Sequence, residues 1–290
     1  MATLTIGRSG TIKDFLALAK PGTILPHFIT AAAAMFLATE STPQAVTLLF
    51  TLLGGGLVAA SANTFNSYID RDIDALMART RRRPLPSGRV TPGQALAFGA
   101  GIGLLGVFIL SAFVNNIAAA LALAALVYYA LPYTFWLKRR TWWSVVIGSG
   151  IGAIPPLIGW TAMTDRIAPT PFLLAAIIML WTLPHFWTLA IFRRNDYARA
   201  GLSILPEKGL SAWIIACSLL LVAATLLLAL TTVLGVLYLV AASLLGAGLL
   251  YLALRVKRGE SLRAAVNLYG YSIFYIMVIF GAIIIDLMVP

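Results

Sequence analysis

The sequence predicts an all-α integral membrane protein with nine transmembrane helices. Of its 290 residues, 60% are hydrophobic and only 11% are charged, whereas soluble domains are roughly one quarter charged. Apolar runs close to the ~20 residues that cross a bilayer recur along the whole chain. Because no run alternates polar and apolar residues, and because lipid offers no partner to a free backbone group, these runs are predicted to be helices.

Nine apolar segments are predicted to form a single transmembrane domain over residues 1–290. The N-terminal segment 1–20 lacks an apolar core, so no cleavable signal peptide is expected and the first span should act as the insertion signal. The nine segments cover residues 22–38, 44–68, 94–113, 116–136, 142–162, 170–192, 210–231, 233–254 and 268–288.

The distribution of basic residues predicts the orientation. With nine spans, one membrane face carries the N-terminus and every second connection, and that face holds all of the 21 Lys and Arg residues except Arg166. The positive-inside rule then puts the N-terminus in the cytoplasm and the C-terminus outside. The net charge of +11 is explained by these loops, so no nucleic-acid partner is expected. We expect a cell inner (cytoplasmic) membrane location with the active site at the cytoplasmic face.

A charged stretch at 63–88 follows the second span and suggests a metal site. Asn66, Asp70 and Asp74 are spaced four residues apart and would share one stripe of a helix. Hard oxygen ligands, few in number, suit Mg²⁺, which keeps positions for water and phosphate oxygens. Asp72 falls on the opposite face, where it is expected to pair with a local arginine.

Arginines follow these acids directly. Arg79, Arg82 and Arg83 supply planar donors suited to a diphosphate. Acids for a metal and arginines for phosphate together fit a metal–diphosphate complex. The alternative is a solvated helix end whose acids merely neutralise the arginines nearby.

Two further polar clusters lie on the same predicted face. Tyr133, Lys138 and Arg139 close the fourth span, either as site residues or as an interfacial anchor. A second acidic loop follows the sixth span, and its aspartate either contacts metal or substrate or braces the loop. This loop contains Arg193, Arg194, Asn195, Asp196 and Tyr197.

The two histidines of the chain, His27 and His185, both lie inside predicted spans. An ionisable residue within a span is a candidate functional residue, as a haem-iron ligand or a proton-transfer group. The alternative for each is a hydrogen-bonded residue between helices. Pro184 is expected to kink the sixth span, and Pro155 with Pro156 to break the fifth. The lone Cys217 is expected to be a packing residue.

Four stretches resemble one known family. They are KPGTI at 20–24, NSYIDRDIDALMARTRRRPLPSGR at 66–89, YTFWLKRRTWWSVVIGSGIGAIPPLIGW at 133–160 and PHFWTLAIFRRNDYARAGLSILP at 184–206. The second resembles the first conserved motif of the UbiA superfamily of intramembrane prenyltransferases. The combination is similar to its haem O synthase branch.

The resemblance implies transfer of the farnesyl group of farnesyl diphosphate to a vinyl group of haem B, with addition of water, giving haem O. On this hypothesis Mg²⁺ is the cofactor and haem B is a substrate. Association with haem A synthase or a terminal oxidase is a further expectation. Catalytic roles would fall to Asn66, Asp70, Asp74, Arg79, Lys138 and Asp196, and substrate binding to Arg82, Arg83, Tyr133, Arg139, His185, Arg193, Arg194, Asn195 and Tyr197.

Two alternatives remain open at this point. One is a prenyltransferase of the same fold that acts on a quinone precursor or a chlorophyllide. The other is a transporter or haem carrier without catalysis, although that class would favour polar residues at the bilayer midplane.

Overall fold

The structure is a computed structural model that describes residues 10–257 and 261–289. This part of the chain contains helices and no strand. The helices are α1 (Ile12–Ala19), α2 (Pro21–Thr39), α3 (Ala45–Ile69), α4 (Arg71–Leu76), α5 (Pro92–Phe113), α6 (Asn116–Tyr128), a π-helix (Tyr129–Leu137), α7 (Trp143–Gly152), α8 (Ile154–Thr164), α9 (Thr170–Phe192), α10 (Arg194–Arg199), α11 (Leu210–Thr231), α12 (Val236–Lys257) and α13 (Ser261–Met288).

Nine segments of the described chain are long and apolar enough to cross a membrane, which confirms the predicted number. The fifth span is divided at Ala153 into α7 and α8, where the two prolines follow. The last span starts at Ser261, seven residues before the predicted start at 268. Residues 1–9 of the predicted N-terminal segment, and the basic residue Arg258, lie outside the described residues.

Local sequence signals set several helix ends. Thr11 and Thr91 each form a capping box with the residue three positions on, at the starts of α1 and α5. Asn115 caps α6 by accepting from the backbone N–H of Ala118 at 2.8 Å. Lys20 has a left-handed backbone (φ 52°) and separates α1 from α2. The first span and the short helix before it therefore meet at a sharp corner.

The fourth span changes from α-helix to π-helix at Tyr129. Thr134 donates its hydroxyl to the carbonyl of Tyr129, five residues earlier, at 2.7 Å. Wider turns of this kind re-aim the side chains that follow and are frequent at functional sites. Lys138 comes directly after this turn.

Buried apolar side chains of the described residues form four clusters, and the two with the most members link most of the helices. The larger joins α2 and α9 to α11, α12 and α13, and the smaller joins α3, α5, α6 and α8. Glycine allows the closest helix approaches. A Cβ on Gly159 of α8 would lie 2.1 Å from the carbonyl oxygen of Ala31 in α2, so these two backbones touch.

The contact at Gly159 generates a stability prediction. Gly159→Ala should destabilise the protein by about 1–3 kcal/mol because the new methyl overlaps a backbone atom and the helices must separate. Gly150→Ala is the matched control, since nothing lies within 4 Å of a Cβ there. Thermal unfolding in detergent measures both variants. Equal melting temperatures for the two would contradict the close contact.

Candidate active site

A cavity of about 580 Å³ lies between the two clusters. Its walls come from α2, α3, the end of the fourth span, α7, α8, α9 and α13. The charged stretch that follows α3 closes one end, whereas the remainder is lined mostly by apolar side chains. The cavity therefore divides into an ionic end and an apolar hollow.

The ionic end contains the predicted acidic stripe. Asn66, Asp70 and Asp74 line the cavity and are 5%, 2% and 2% exposed. Although α3 ends at Ile69, helical hydrogen bonds continue beyond it. The backbone N–H of Asp70 donates to the backbone carbonyl of Asn66 at 2.9 Å, and the backbone N–H of Asp74 donates to the backbone carbonyl of Asp70 at 2.8 Å. Helical spacing thus continues across the junction, and the three side chains share one wall.

Basic side chains from two connections neutralise the two carboxylates. Asp70 Oδ2 forms an ion pair with Lys138 Nζ, and Asp74 Oδ2 pairs with Arg83 Nη1 at 2.8 Å. Asn66 Nδ2 links the group by donating to Asp70 Oδ2 at 2.8 Å. Arg79 also lines this end. The predicted acids therefore lie at one end of the cavity together with four of the predicted basic or amide groups, Asn66, Arg79, Arg83 and Lys138.

Lys20 is a member of this network that the sequence analysis did not assign to the site. Its Nζ donates to Asn66 Oδ1 at 2.8 Å, and it lines the cavity. Burial, together with the positive charges of Arg83 and Lys138, lowers the pKa of Lys20 from 10.5 to about 7. The sequence signal that could have drawn attention to Lys20 is its position directly before Pro21, where a helix is expected to end.

The oxygen atoms of the ionic end fit a divalent cation. Asp70 Oδ1 is buried and has no hydrogen-bond partner among the described residues, which is costly unless a ligand satisfies it. The described residues contain no cluster of three or more His, Cys, Asp or Glu side chains. Two carboxylates and an amide suit Mg²⁺, which accepts few protein ligands, better than they suit metals that need a closed cage.

Asp72 and Arg139 form a separate pair outside the cavity lining. Two hydrogen bonds of 2.7 Å join the guanidinium to both carboxylate oxygens, and Arg139 lowers the pKa of Asp72. Asp72 does fall away from the stripe, but its partner comes from the connection after the fourth span. Arg139 also donates to the carbonyl of Ile69 at 2.8 Å, and it does not line the cavity.

The second acidic loop reaches the first. Asp196 Oδ1 accepts from the backbone N–H of Ala78 at 3.3 Å, next to Arg79. Tyr197 lines the cavity, and burial raises its pKa. The other predicted residues of this loop, and Arg82, do not line the cavity; these are Arg193, Arg194, Asn195 and Asp196. The loop thus braces the wall and supplies one phenol to it.

Aromatic and imidazole side chains line the apolar hollow. Tyr133 stacks on Tyr129 with ring centroids 5.5 Å apart, and both line the cavity. His185 lies in the same cavity, and its Nδ1 is 2.8 Å from Ser272 Oγ. His27 also lines the cavity, but its Nδ1 is buried and no residue in the described ranges forms a hydrogen bond with it. The two histidines therefore differ in how firmly they are held.

Comparison with known proteins identifies the family. The sequence profile described as the UbiA prenyltransferase family matches residues 27–279. The chain belongs to the UbiA prenyltransferase family. It is 43% identical over 283 residues to the protoheme IX farnesyltransferase of Gloeobacter violaceus, covering 96% of this chain and 93% of that protein. It is also 43% identical over 290 residues to protoheme IX farnesyltransferase 1 of Pseudomonas putida, covering 99% of this chain and 98% of that protein.

Other UbiA relatives are longer. The protoheme IX farnesyltransferase of Roseiflexus castenholzii is 42% identical over 288 residues, covering 98% of this chain but 54% of that protein. The chain thus spans about half the length of this relative and of that from Roseiflexus sp. RS-1, of which 53% is covered.

Solved structures share the UbiA fold. A UbiA homologue from Aeropyrum pernix superposes with a TM-score of 0.73 at 20% identity, covering 92% of this chain and 98% of that one. A UbiA homologue from Archaeoglobus fulgidus, bound to DMAPP and Mg²⁺, superposes with a TM-score of 0.69 at 18% identity, covering 93% of this chain and 99% of that one. The predicted UbiA-type bundle is therefore confirmed, with nine candidate membrane-spanning helices in the described residues.

Asp70 in the cavity and Asp72 outside it provide a matched test of metal binding in this UbiA family member. Asp70→Asn should weaken Mn²⁺ binding by about tenfold or more in the presence of inorganic diphosphate, because it removes the negative charge of a carboxylate predicted to bind the metal. Asp72→Asn, which alters a carboxylate outside the cavity, should change it by less than about twofold. Electron paramagnetic resonance of free Mn²⁺ measures both. An equal loss in the two variants would exclude Asp70 as the ligand.

Proposed function

We propose that this protein transfers the farnesyl group of farnesyl diphosphate to a vinyl group of haem B, with addition of water, to give haem O. The observation that carries the proposal is the cavity itself, in which a buried ionic end continues into an apolar hollow. A diphosphate attached to a long hydrocarbon chain has this same division of charge. Both parts of such a substrate would be accommodated in one continuous space.

The ionic end would stabilise the departure of diphosphate. The C1–O bond of farnesyl diphosphate breaks, and its electron pair leaves with the diphosphate. Arg79, Arg83 and Lys138 present cationic donors where this charge develops, and donors preorganised in a site that excludes water stabilise charge strongly. Mg²⁺, when bound at Asn66, Asp70 and Asp74, supplies Lewis-acid neutralisation of the same oxygens.

The apolar hollow would protect the allylic cation. Its walls include Leu52, Val58, Ile151, Ile158 and Ile178, which offer no nucleophile and exclude stray water. The terminal vinyl carbon of haem bonds to C1 and leaves a cation on the carbon next to the porphyrin. A water molecule adds its oxygen to that carbon and releases one proton, which forms the hydroxyl of haem O.

Relatives support haem as the acceptor. Proteins over 40% identical across nearly the whole chain carry the name protoheme IX farnesyltransferase. We propose a quinone precursor or a chlorophyllide only as the alternative acceptor class. A carrier without catalysis is disfavoured because the charged side chains gather at one end of the cavity.

The proposal includes an orientation in the membrane. The N-terminus and the ionic end would face the cytoplasm, in the inner membrane, because the connections on that face carry nearly all the Lys and Arg residues. Farnesyl diphosphate would then reach the site from the cytoplasm. Association with haem A synthase or a terminal oxidase remains part of the proposal.

The direct test uses the purified protein in detergent or nanodiscs with haem B, farnesyl diphosphate and Mg²⁺. We expect haem O by mass spectrometry and its loss when Mg²⁺ is chelated. A parallel reaction offers a quinone precursor or a chlorophyllide in place of haem. Product with one of those acceptors alone would replace haem in the proposal, and no product with any acceptor would overturn the enzyme.

Adjacent basic residues allow a sharper prediction. Lys138→Gln should lower kcat about 100-fold, because it removes a preorganised cation at the ionic end. Arg139→Gln should lower it by less than about threefold, since its guanidinium pairs with Asp72 at the protein surface. Steady-state kinetics with farnesyl diphosphate measures both. A larger loss for Arg139→Gln would mean that the diphosphate lies elsewhere.

A further inference from the structure

The ring of His185 is held between two aromatic side chains. The indole of Trp181 and the phenol of Tyr269 stack on its two faces, with ring centroids 4.7 and 4.6 Å away. Only the edge of the imidazole remains available for polar contacts. Because His185 also lines the cavity, the orientation of that edge determines what the ring presents to a substrate.

Ser272 fixes one nitrogen of that edge. Its hydroxyl oxygen is 2.8 Å from His185 Nδ1 and 2.7 Å from the carbonyl oxygen of Tyr269. A serine has a single hydroxyl proton, and a carbonyl has none to give. Both short contacts are hydrogen bonds only if Ser272 donates to Tyr269 and accepts from His185 Nδ1–H.

This assignment determines the tautomer of the imidazole. A neutral histidine that carries its proton on Nδ1 has an unshared electron pair on Nε2. A second bond holds the arrangement, because Trp181 Nε1 donates to the backbone carbonyl of Ser272 at 2.6 Å. Helices α9 and α13 are thus joined by two hydrogen bonds at Ser272, one with Trp181 and one with His185. His27 lacks such support within the part of the chain that the structure describes, since its Nδ1 forms no hydrogen bond there.

We propose that Ser272 is a positioning residue that fixes His185 as the Nδ1–H tautomer, so that Nε2 ligates the iron of the haem acceptor. The inference rests on the proposed function, which supplies haem. Metal-binding histidines generally donate their other ring N–H to an acceptor that sets the tautomer and the ring orientation. Ligation through Nε2 would orient the porphyrin within the cavity and so select the vinyl group that reacts.

The test is a titration of the full-length protein with haem B, followed by optical absorption and by resonance Raman spectroscopy of the ferrous complex. His185→Ala should abolish the iron–histidine stretch, and free imidazole should restore axial ligation. Ser272→Ala should keep the ligand but weaken haem binding about tenfold and shift that stretch, because the hydrogen bond on Nδ1 is lost.

Ser218→Ala is the matched control. Ser218 is also fully buried and donates to a helical carbonyl, that of Ile214, at 2.7 Å. In the described chain this hydroxyl bonds to Ile214 and not to a histidine, so its variant should bind haem within about twofold of the unaltered protein. The comparison removes the general effect of deleting a buried hydroxyl.

The possible outcomes separate the two proposals. Failure of the unaltered protein to bind or convert haem would overturn the proposed function, and the inference with it. Haem O formation with an unchanged spectrum in His185→Ala would overturn the inference alone. A spectrum that responds to His185→Ala but not to Ser272→Ala would remove Ser272 from its role. Should Ser272→Ala not accumulate, the stretch in the unaltered protein and in His185→Ala still decides the ligand.

Discussion

The pairing of two buried carboxylates governs the arrangement of this molecule. Asp70 and Asp74 are almost wholly excluded from solvent, and a buried carboxylate without a partner costs several kcal/mol. Lys138 and Arg83 provide the partners. Because one comes from the fourth span and the other from the loop after the second, the ends of these spans must meet. The apolar helices form the frame within which this meeting is possible.

The segment after α3 connects the parts of the chain outside the membrane. It is joined to α1 by the Arg89–Asp14 pair, to the end of the fourth span by Asp72–Arg139, and to the loop after α9 by the contact between Ala78 and Asp196. Three separate connections therefore converge on one stretch. We call this assembly the cover of the cavity, since it closes the ionic end.

Features that depend on neighbouring residues were predictable from the sequence. Apolar length gave nine spans, and four-residue spacing placed Asn66, Asp70 and Asp74 on one wall. Features that depend on distant partners were not. Lys20 joins the site through a residue 46 positions away. Lys138 and Arg139 are adjacent and both cationic, yet Lys138 pairs with Asp70 in the cavity and Arg139 pairs with Asp72 outside it.

The cover and the helical floor of the cavity resist different disturbances. The bonds of the cover are largely exposed to solvent, and water and salt compete with such pairs. The floor is held by tightly packed side chains and by a backbone contact at Gly159, which ions in solution do not reach. Salt is consequently expected to loosen the cover while leaving the helix packing around the rest of the cavity unchanged. Entry of a substrate past the cover and its retention between the helices therefore depend on different interactions, electrostatic in the first case and van der Waals in the second.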